Sequence, residues 1–551
     1  MKIFTGVVLA LAVTVSTAAP APGRRVLPQD VRVADSPAGA MLYQEGRLHG
    51  GASLVAERQG MPALEGAAAA CVNCHRRSGL GSIEARNFIP PVAGRFLYHV
   101  RDDAADVLPY LPNAYLDRSG YDDETLARAI REGVDADGRV MSYLMPRYDL
   151  PAADMAALIQ HLKSLGPFNT PGVSDTEVHF ATIQTPDADP VRRAAVLTVL
   201  RSFFAERNDA TPTPAAQQQM QTSGRGAFAK RMLKVNRNWV LHEWILTGAP
   251  STWRAQLAER FRREPVYAVL SSVVGPNYEP VREFCEATPV PCLYPIADAP
   301  PADGDADFHS IYFSRGVGLE ADLIAGAVST HAAAARRVRV VYREGDVGVA
   351  AWQRLTERLK GSSIVLVGAP IAATAPTAAV ARAARVGEAD ATVLFLRPAD
   401  LAALDGAPVG EVYVSGLMGG DEAAPLPPAW HANAHLAYGI DLPIERRVRL
   451  DYAFGWFRIR RIPVTDTRAQ ADTFLACGIV SETVKHMVDA FVPDYLVEKM
   501  EDTLEHRVLT GYYPRLSLGP HQRYASKGGR LVRFTAASGE AVVADGDWIV
   551  P

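Results

Sequence analysis

Apolar positions fall into three rhythms along the chain. An unbroken apolar run, Ile3 to Val15, follows Lys2. Further on, Met155, Leu158, Ile159, Leu162 and Leu165 recur at three- and four-residue steps, which predicts a helix over about 152–165 with one buried stripe. Beyond residue 176 short apolar runs alternate with longer amphipathic ones. The runs Val178–Thr185, Trp239–Leu246, Tyr267–Val273, Val338–Tyr342, Ser363–Val367, Thr392–Leu396 and Val412–Ser415 predict strands. Helical patterns lie between many of them, at Pro190–Glu206, Trp253–Arg263, Glu279–Glu286, Leu319–Ser329, Val349–Lys360 and Pro376–Arg385. Strands separated by helices imply parallel sheets covered on both faces. A stretch of about 350 residues exceeds one such core, so two lobes are expected.

Two shorter helices precede this region. Ser36 can cap a helix reaching Gly46, with Gly39 and Tyr43 four apart on one face; a small and an aromatic residue suit a close helix crossing. Asp123–Glu132 reads as a helix stopped by Gly133. With 551 residues, two or three domains are expected. The 48% hydrophobic and 21% charged composition is that of a globular protein, and a net charge of −4 offers no basic field for nucleic acid.

The first apolar run, followed by Ser16, Thr17, Ala18 and Ala19, has the form of an export signal over residues 1–18 with cleavage near Ala18. It is shorter than the ~20 residues needed to span a bilayer, and Pro20 and Pro22 end it. The expected location is periplasmic, with no membrane span once the signal is removed.

Of the five cysteines, two stand in Cys71-Val72-Asn73-Cys74-His75. Thiols at this spacing can each add to a haem vinyl group, and the adjoining histidine is then carried to the iron. A thioredoxin-like pair would normally sit on a βαβ unit and a zinc site needs a second ligand pair; neither accompanies the motif. One covalent haem c is therefore expected. Cys285 and Cys292 flank a proline-containing turn that can fold one back toward the other as a disulfide. Cys477, in the apolar stretch Phe474-Leu475-Ala476-Cys477, reads as a buried small hydrophobe.

With these residues in place, most of residues 36 to 165, within a unit spanning 30–168, resembles class I cytochromes c. The resemblance implies an all-α domain whose first and last helices cross beside the haem. It also implies a methionine ligand in the loop before the last helix. Met145, in Leu144-Met145-Pro146-Arg147-Tyr148, fits that place, with Met141 as the alternative; His161 reads as a surface or packing residue. Ile89–Arg95 would line the haem, and Arg76, Arg77 or Arg95 could meet a propionate, while each arginine taken separately reads as a solvated surface charge. His75/Met145 ligation fills both iron positions, so the resemblance implies a carrier of single electrons rather than a catalyst.

Residues 176–535 resemble the type I periplasmic binding proteins, through Phe180-Ala181-Thr182-Ile183, Phe284 to Cys292 and Leu516-Ser517-Leu518-Gly519-Pro520. Residues 536–551 are left as a C-terminal tail. The resemblance implies a two-lobed α/β fold with a small ligand held between the lobes, on loops at the carboxyl ends of the strands. Those loops hold Asn277, Tyr278 and Asp298, and an aspartate there would repel a ligand carboxylate. His431 and His435 would share a helical face, without the remaining ligands of a zinc protease. Hydrolase elbows, Walker loops and dinucleotide fingerprints are absent from the sequence.

The expected function is that of a mono-haem electron carrier with a receptor-like unit that binds a small ligand or docks a periplasmic redox partner protein. The alternative is a solute receptor of an ABC transporter, or a sensor, with an accessory haem domain. An enzyme is the weakest expectation, because no catalytic set can be named.

Overall fold

A computed structural model describes residues 34–58, 60–84, 87–99, 115, 117–166, 170–211, 235–301, 307–330, 336–385, 389–408, 410–535 and 542–551. The expected export signal lies outside them.

The small unit begins with α1 (Pro37–Glu45), where the Ser36 side chain accepts a hydrogen bond from the Gly39 N–H and Gly46 closes the helix in the left-handed conformation. It continues through β1 (Val55–Arg58), β2 (Met61–Glu65), the single turn α2 (Val72–His75), β3 (Ser82–Glu84), β4 (Asn87–Ile89), α3 (Gly94–Tyr98), α4 (Asp123–Glu132) and α5 (Ala152–Ser164). A capping box between Asp122 and Thr125 starts α4, and Gly133 ends it at φ 70°. Helix α1 crosses α5 so closely that a Cβ on Gly39 would lie 2.1 Å from the Ala157 carbonyl oxygen. Only glycine permits that approach. Tyr43 is fully buried at the crossing, and Leu42, Leu126, Ile130, Met155, Leu158, Ile159 and Leu162 complete the core. The unit is not purely helical as expected: β1–β2 and β3–β4 form two short antiparallel ladders that fold the loops around α2.

The large unit has two sheets. Lobe one contains β5 (Glu177–Gln184), α6 (Pro190–Asp209), β6 (Asn238–Ile245), α7 (Trp253–Arg263), β7 (Ala268–Leu270), α8 (Glu279–Ala287), β8 (Cys292–Leu293) and β9 (Ser310–Ile311). Its strands are all parallel, in the order β6-β5-β7-β8-β9. Lobe two contains α9 (Val317–Thr330), β10 (Arg337–Arg343), α10 (Gly348–Arg358), β11 (Val365–Ile371), α11 (Ala378–Arg385), β12 (Ala391–Phe395), α12 (Pro398–Leu401), β13 (Glu411–Ser415), α13 (Gly416–Gly419), α14 (Pro428–His431) and β14 (Ala434–Tyr438). The chain then returns to lobe one with α15 (Pro443–Ile459), α16 (Thr467–Met487) and α17 (Pro493–Glu505), and α16 packs on α6. Tyr524 bridges Tyr312 beside β9 before the chain re-enters lobe two as β15 (Arg530–Phe534) and β16 (Val542–Ala544).

The second sheet runs β11-β10-β12-β13-β14-β15-β16, its first five strands parallel, with β15 antiparallel to β14 and β16 antiparallel to β15. Every residue of β12 is buried, as a central parallel strand covered by helices requires. Among the described residues three chain crossings therefore join the lobes, near 312–317, 438–443 and 524–530.

Two expectations are corrected here. Residues 542–551 are not a free tail: β16 pairs with β15, Ile549 bridges Gly529, and the Trp548 indole donates to the Lys527 carbonyl. His431 and His435 do not share a helical face, because His431 ends α14 and His435 lies in β14. Among the described residues no helix is long and apolar enough to cross a membrane.

Candidate functional site

Cys71 precedes α2, so its one turn carries Cys74 outward and His75 inward. The His75 Nδ1–H donates to the Pro90 carbonyl oxygen at 2.9 Å, which assigns the tautomer and leaves Nε2 with its lone pair. That Nε2 is buried and has no protein partner. Burial lowers the His75 pKa against the opposing effect of Pro90, so the ring is neutral, the form that binds iron. Gly81 makes the arrangement possible: at φ 73° its missing Cβ would sit 2.2 Å from the Ile89 oxygen, letting the chain fold back against Pro90. An orphaned, oriented imidazole beside two unbridged thiols fits a covalently attached haem.

Met145 and Met141 are both half-buried and pack on the core that also receives Cys71 and Val72. Their loop is tied to this region by an antiparallel bridge between Arg147 and Glu57 and by the Tyr148 hydroxyl donating to the Ala69 oxygen at 3.1 Å. His161, by contrast, is buried under α1 with Nδ1 on the Asp35 carboxylate at 2.7 Å and its ring 5.1 Å from that of Tyr43. Its Nε2 is also without a partner, but no cysteine flanks it. Among the described residues no group of three or more His, Cys, Asp or Glu can hold a metal ion. An imidazole–thioether set is a different donor pair, suited to haem iron.

The three residues after His75 all grip lobe one. Ser78 donates to Glu498 from its backbone N–H at 2.9 Å and from its hydroxyl at 2.5 Å. Arg76 meets Glu501 at 3.4 Å, and Arg77 meets Asp494 at 3.5 Å while lying over the Phe308 ring at 4.6 Å. Asp494, Glu498 and Glu501 occupy one face of α17. Arg76 and Arg77, read from the sequence as solvated surface charges with a propionate as the alternative partner, face these carboxylates instead. Behind them, buried Arg523 binds Glu501 at 2.9 Å and buried His309 binds Asp494 at 2.8 Å. Burial pushes the Glu498 carboxyl up to about 8, so it is protonated at neutral pH.

The cleft between the lobes has an outer and an inner part. The outer cavity is about 360 Å³, with Asn277 and Tyr278 of lobe one facing Arg315, Gln353, Arg354 and Glu357. Asn277 is exposed; Tyr278 is buried, its ring edge-on to Tyr312 at 5.8 Å. Asp322, almost fully buried, anchors Arg354 at 2.8 Å, Arg315 at 3.3 Å and Arg358 at 3.3 Å. The inner cavity is only about 50 Å³. It contains Asp298, which the sequence places as a ligand contact but which is spent on protein: Arg192 reaches it at 3.0 Å and 3.1 Å, and Arg397 at 2.8 Å. Burial opposes its charge, yet the two guanidinium groups hold its carboxyl well below the usual range. Cys285 and Cys292 are joined as a disulfide, Cα to Cα 6.0 Å, tying α8 to β8.

Sequence reasoning missed Arg192, Arg397, Ser78 and the α17 carboxylates. The spacing of Asp494, Glu498 and Glu501 is visible in the sequence, but an acidic helix face ordinarily reads as solvated.

No protein-family model matches the chain, and no curated protein matches it. Solved structures do. A fatty acid ABC transporter substrate-binding protein from Thermomonospora curvata is 13% identical, with a TM-score of 0.48 over 69% of this chain and 94% of that one. A branched-chain amino acid ABC transporter structure from Thermus thermophilus with bound valine is 9% identical, at 0.48 over 69% and 98%. A solute-binding protein of an ABC transporter from Rhodopseudomonas palustris BisB5, in complex with 3,4-dihydroxybenzoic acid, is 9% identical, at 0.48 over 68% and 98%. At these identities and TM-scores the likeness carries no argument about function, and the two-lobed α/β fold stands on the strand order described above.

Proposed function

We propose that the chain is a periplasmic receptor for a small solute that carries a haem c module fixed to lobe one. The observation that supports this most is the outer cavity, about 360 Å³, walled in lobe one by Asn277 and Tyr278 after β7 and on the other side by Arg315 of the crossing and by Gln353, Arg354 and Glu357 along α10. Asn277 and Gln353 offer amide donors and acceptors, and Arg315 and Arg354 offer N–H groups held in place by Asp322. A solute of a few polar groups can bridge the two walls and favour lobe closure. Thermal-shift screening of the full chain with amino acids, aromatic acids and alcohols tests the reading. One chemical class should raise the melting temperature in a concentration-dependent way; a flat response across all three would overturn it.

A second reading, a mono-haem carrier of single electrons serving a redox partner protein, is favoured by the orphaned His75 Nε2. Haem, when bound, supplies one-electron chemistry. Cys71 and Cys74 would hold it through thioether bonds, and Pro90 would fix the imidazole through Nδ1. Met145, or Met141 in its place, would supply a thioether donor to the iron. Production in a host able to mature c-type cytochromes, followed by a pyridine haemochrome spectrum, tests this reading. The wild type should give a c-type spectrum and His75→Ala should lose it or its low-spin form; a colourless wild type with alkylatable Cys71 and Cys74 would defeat it.

A further inference from the structure

The inner part of the cleft is held by an alternating chain of charges. Asp466, which caps α16 in lobe one, binds Arg192 at 2.9 Å. Arg192, in the first turn of α6, binds Asp298, which follows β8 in lobe one. Asp298 also binds Arg397, just after β12 in lobe two, and Arg397 makes two 2.8 Å contacts with Asp346, just after β10. Asp298 is only 8% exposed. Its backbone carbonyl accepts the Val317 N–H at 2.9 Å, at the start of α9 where the chain crosses to lobe two. A second cross-lobe pair, Arg468 with Asp421 at 3.6 Å, lies on the same side.

We propose that Asp298 is a built-in ligand of the cleft: its carboxylate occupies an anion site made by one guanidinium from each lobe and keeps the inner cleft closed without any solute. The inference goes beyond the receptor reading, because it requires no solute. Asp466 and Asp346 each pair with one of these guanidinium groups inside its own lobe, so joining the two pairs across the seam takes one further anion between the arginines. Asp298 supplies that anion, and its own burial leaves little room for another. The consequence for specificity is that a free carboxylate is excluded from the inner cleft of the wild type, so a solute is confined to the outer cavity. When Asp298 is shortened, the same two arginines become a site for a small external carboxylate.

The test uses the full chain as wild type, Asp298→Ala and Asp298→Asn, with Arg397→Ala as a milder variant that leaves Asp298 paired to Arg192. Small-angle X-ray scattering reports the radius of gyration, and hydrogen exchange reports protection in the crossings near 312–317 and 524–530. Asp298→Ala and Asp298→Asn should expand, with exchange in the crossings faster by about tenfold. Sodium acetate or formate should restore the compact form of Asp298→Ala, sodium chloride at equal ionic strength should not, and the wild type should ignore all three. Arg397→Ala should expand with unchanged helical circular dichroism. Should Asp298→Ala fail to fold, Arg397→Ala decides the matter. Variants as compact and protected as the wild type, or an expansion that acetate and chloride treat alike, would overturn the proposal. A solute screen that finds nothing would leave it intact, so its failure and that of the receptor reading are distinguishable.

Discussion

Two seams hold this molecule together, and both are built from carboxylates facing basic residues, yet they are chemically opposite. Between the lobes, Asp298 has two guanidinium groups within 3.1 Å and stays ionised. Between the small unit and lobe one, Glu498 meets the neutral donors of Ser78, while Arg76 and Arg77 sit farther off, at 3.4 Å and 3.5 Å, on its neighbours Glu501 and Asp494. Burial pushes the Glu498 pKa up to about 8, outweighing the opposing pull of the Ser78 donors and of Arg76, so the carboxyl is protonated at neutral pH. The first seam is a charge-dependent clasp that protons can weaken. The second is a mount centred on the uncharged Ser78–Glu498 pair and flanked by longer ion pairs, which fixes the His75 loop against α17, so that a haem attached there would move with lobe one.

Breaking the mount should have the largest effect. Glu498→Ala leaves the buried Ser78 N–H without a partner and the Ser78 hydroxyl without its acceptor, and should destabilise the chain by about 2–4 kcal/mol, read by thermal denaturation. Removing the disulfide with Cys285→Ala and Cys292→Ala, which loosens lobe one but touches neither seam, should cost about 2–3 kcal/mol for a loop of this length. If that pair instead expands the molecule as Asp298→Asn is expected to, the two effects are not separable in the way described.

Acidity should separate the seams further. The folded pKa of Asp298 is depressed, so its contribution is present above the unfolded value of about 3.9 and is lost as pH falls through the folded pKa. Glu498 and Glu320 are each pushed up to about 8 by burial, and Asp472 to about 7. The folded state therefore keeps protons that the unfolded chain releases near pH 4, and their contribution is fully present below that pH and lost as pH rises toward 8. Melting temperature should fall from pH 5 to pH 8, and Glu320→Gln should flatten that slope; a melting temperature that rises over the interval would reverse the assignment. The smallest effect is expected for Glu498→Gln, which imitates the protonated carboxyl and should stay within about 1 kcal/mol of the wild type at pH 7.

The parts of this architecture that were legible in the sequence are those with local causes. The Ser36 cap, the Gly39–Tyr43 face, the Gly133 stop and the spacing of Cys71, Cys74 and His75 act within a few residues, and each has a visible signature. The parallel strands announced themselves as apolar runs between amphipathic helices. What was not legible depends on distant partners. Asp298 meets Arg192 from 106 positions away and Arg397 from 99, so nothing near it in the sequence says that its charge is already matched. Ser78 and Glu498 are 420 apart, and the acidic face of α17 differs from a solvated one only in what covers it. His435 shows the same limit: Ala434–Tyr438 suits a helix or a strand, and pairing with β13 and β15 on either side decides the matter. Three-residue β16 is a strand only because β15 is there to pair with.

The claim that matters most is that the outer cavity is a solute site with walls on both lobes. Calorimetric titration with the solute that gives the largest thermal shift tests it most directly, comparing the wild type with Asn277→Ala on one wall and Gln353→Ala on the other. The account predicts one solute per chain in the wild type and affinity weakened by about tenfold or more, roughly 1.4 kcal/mol, in each variant. Binding that neither substitution alters, or no binding by any solute tried, would contradict it.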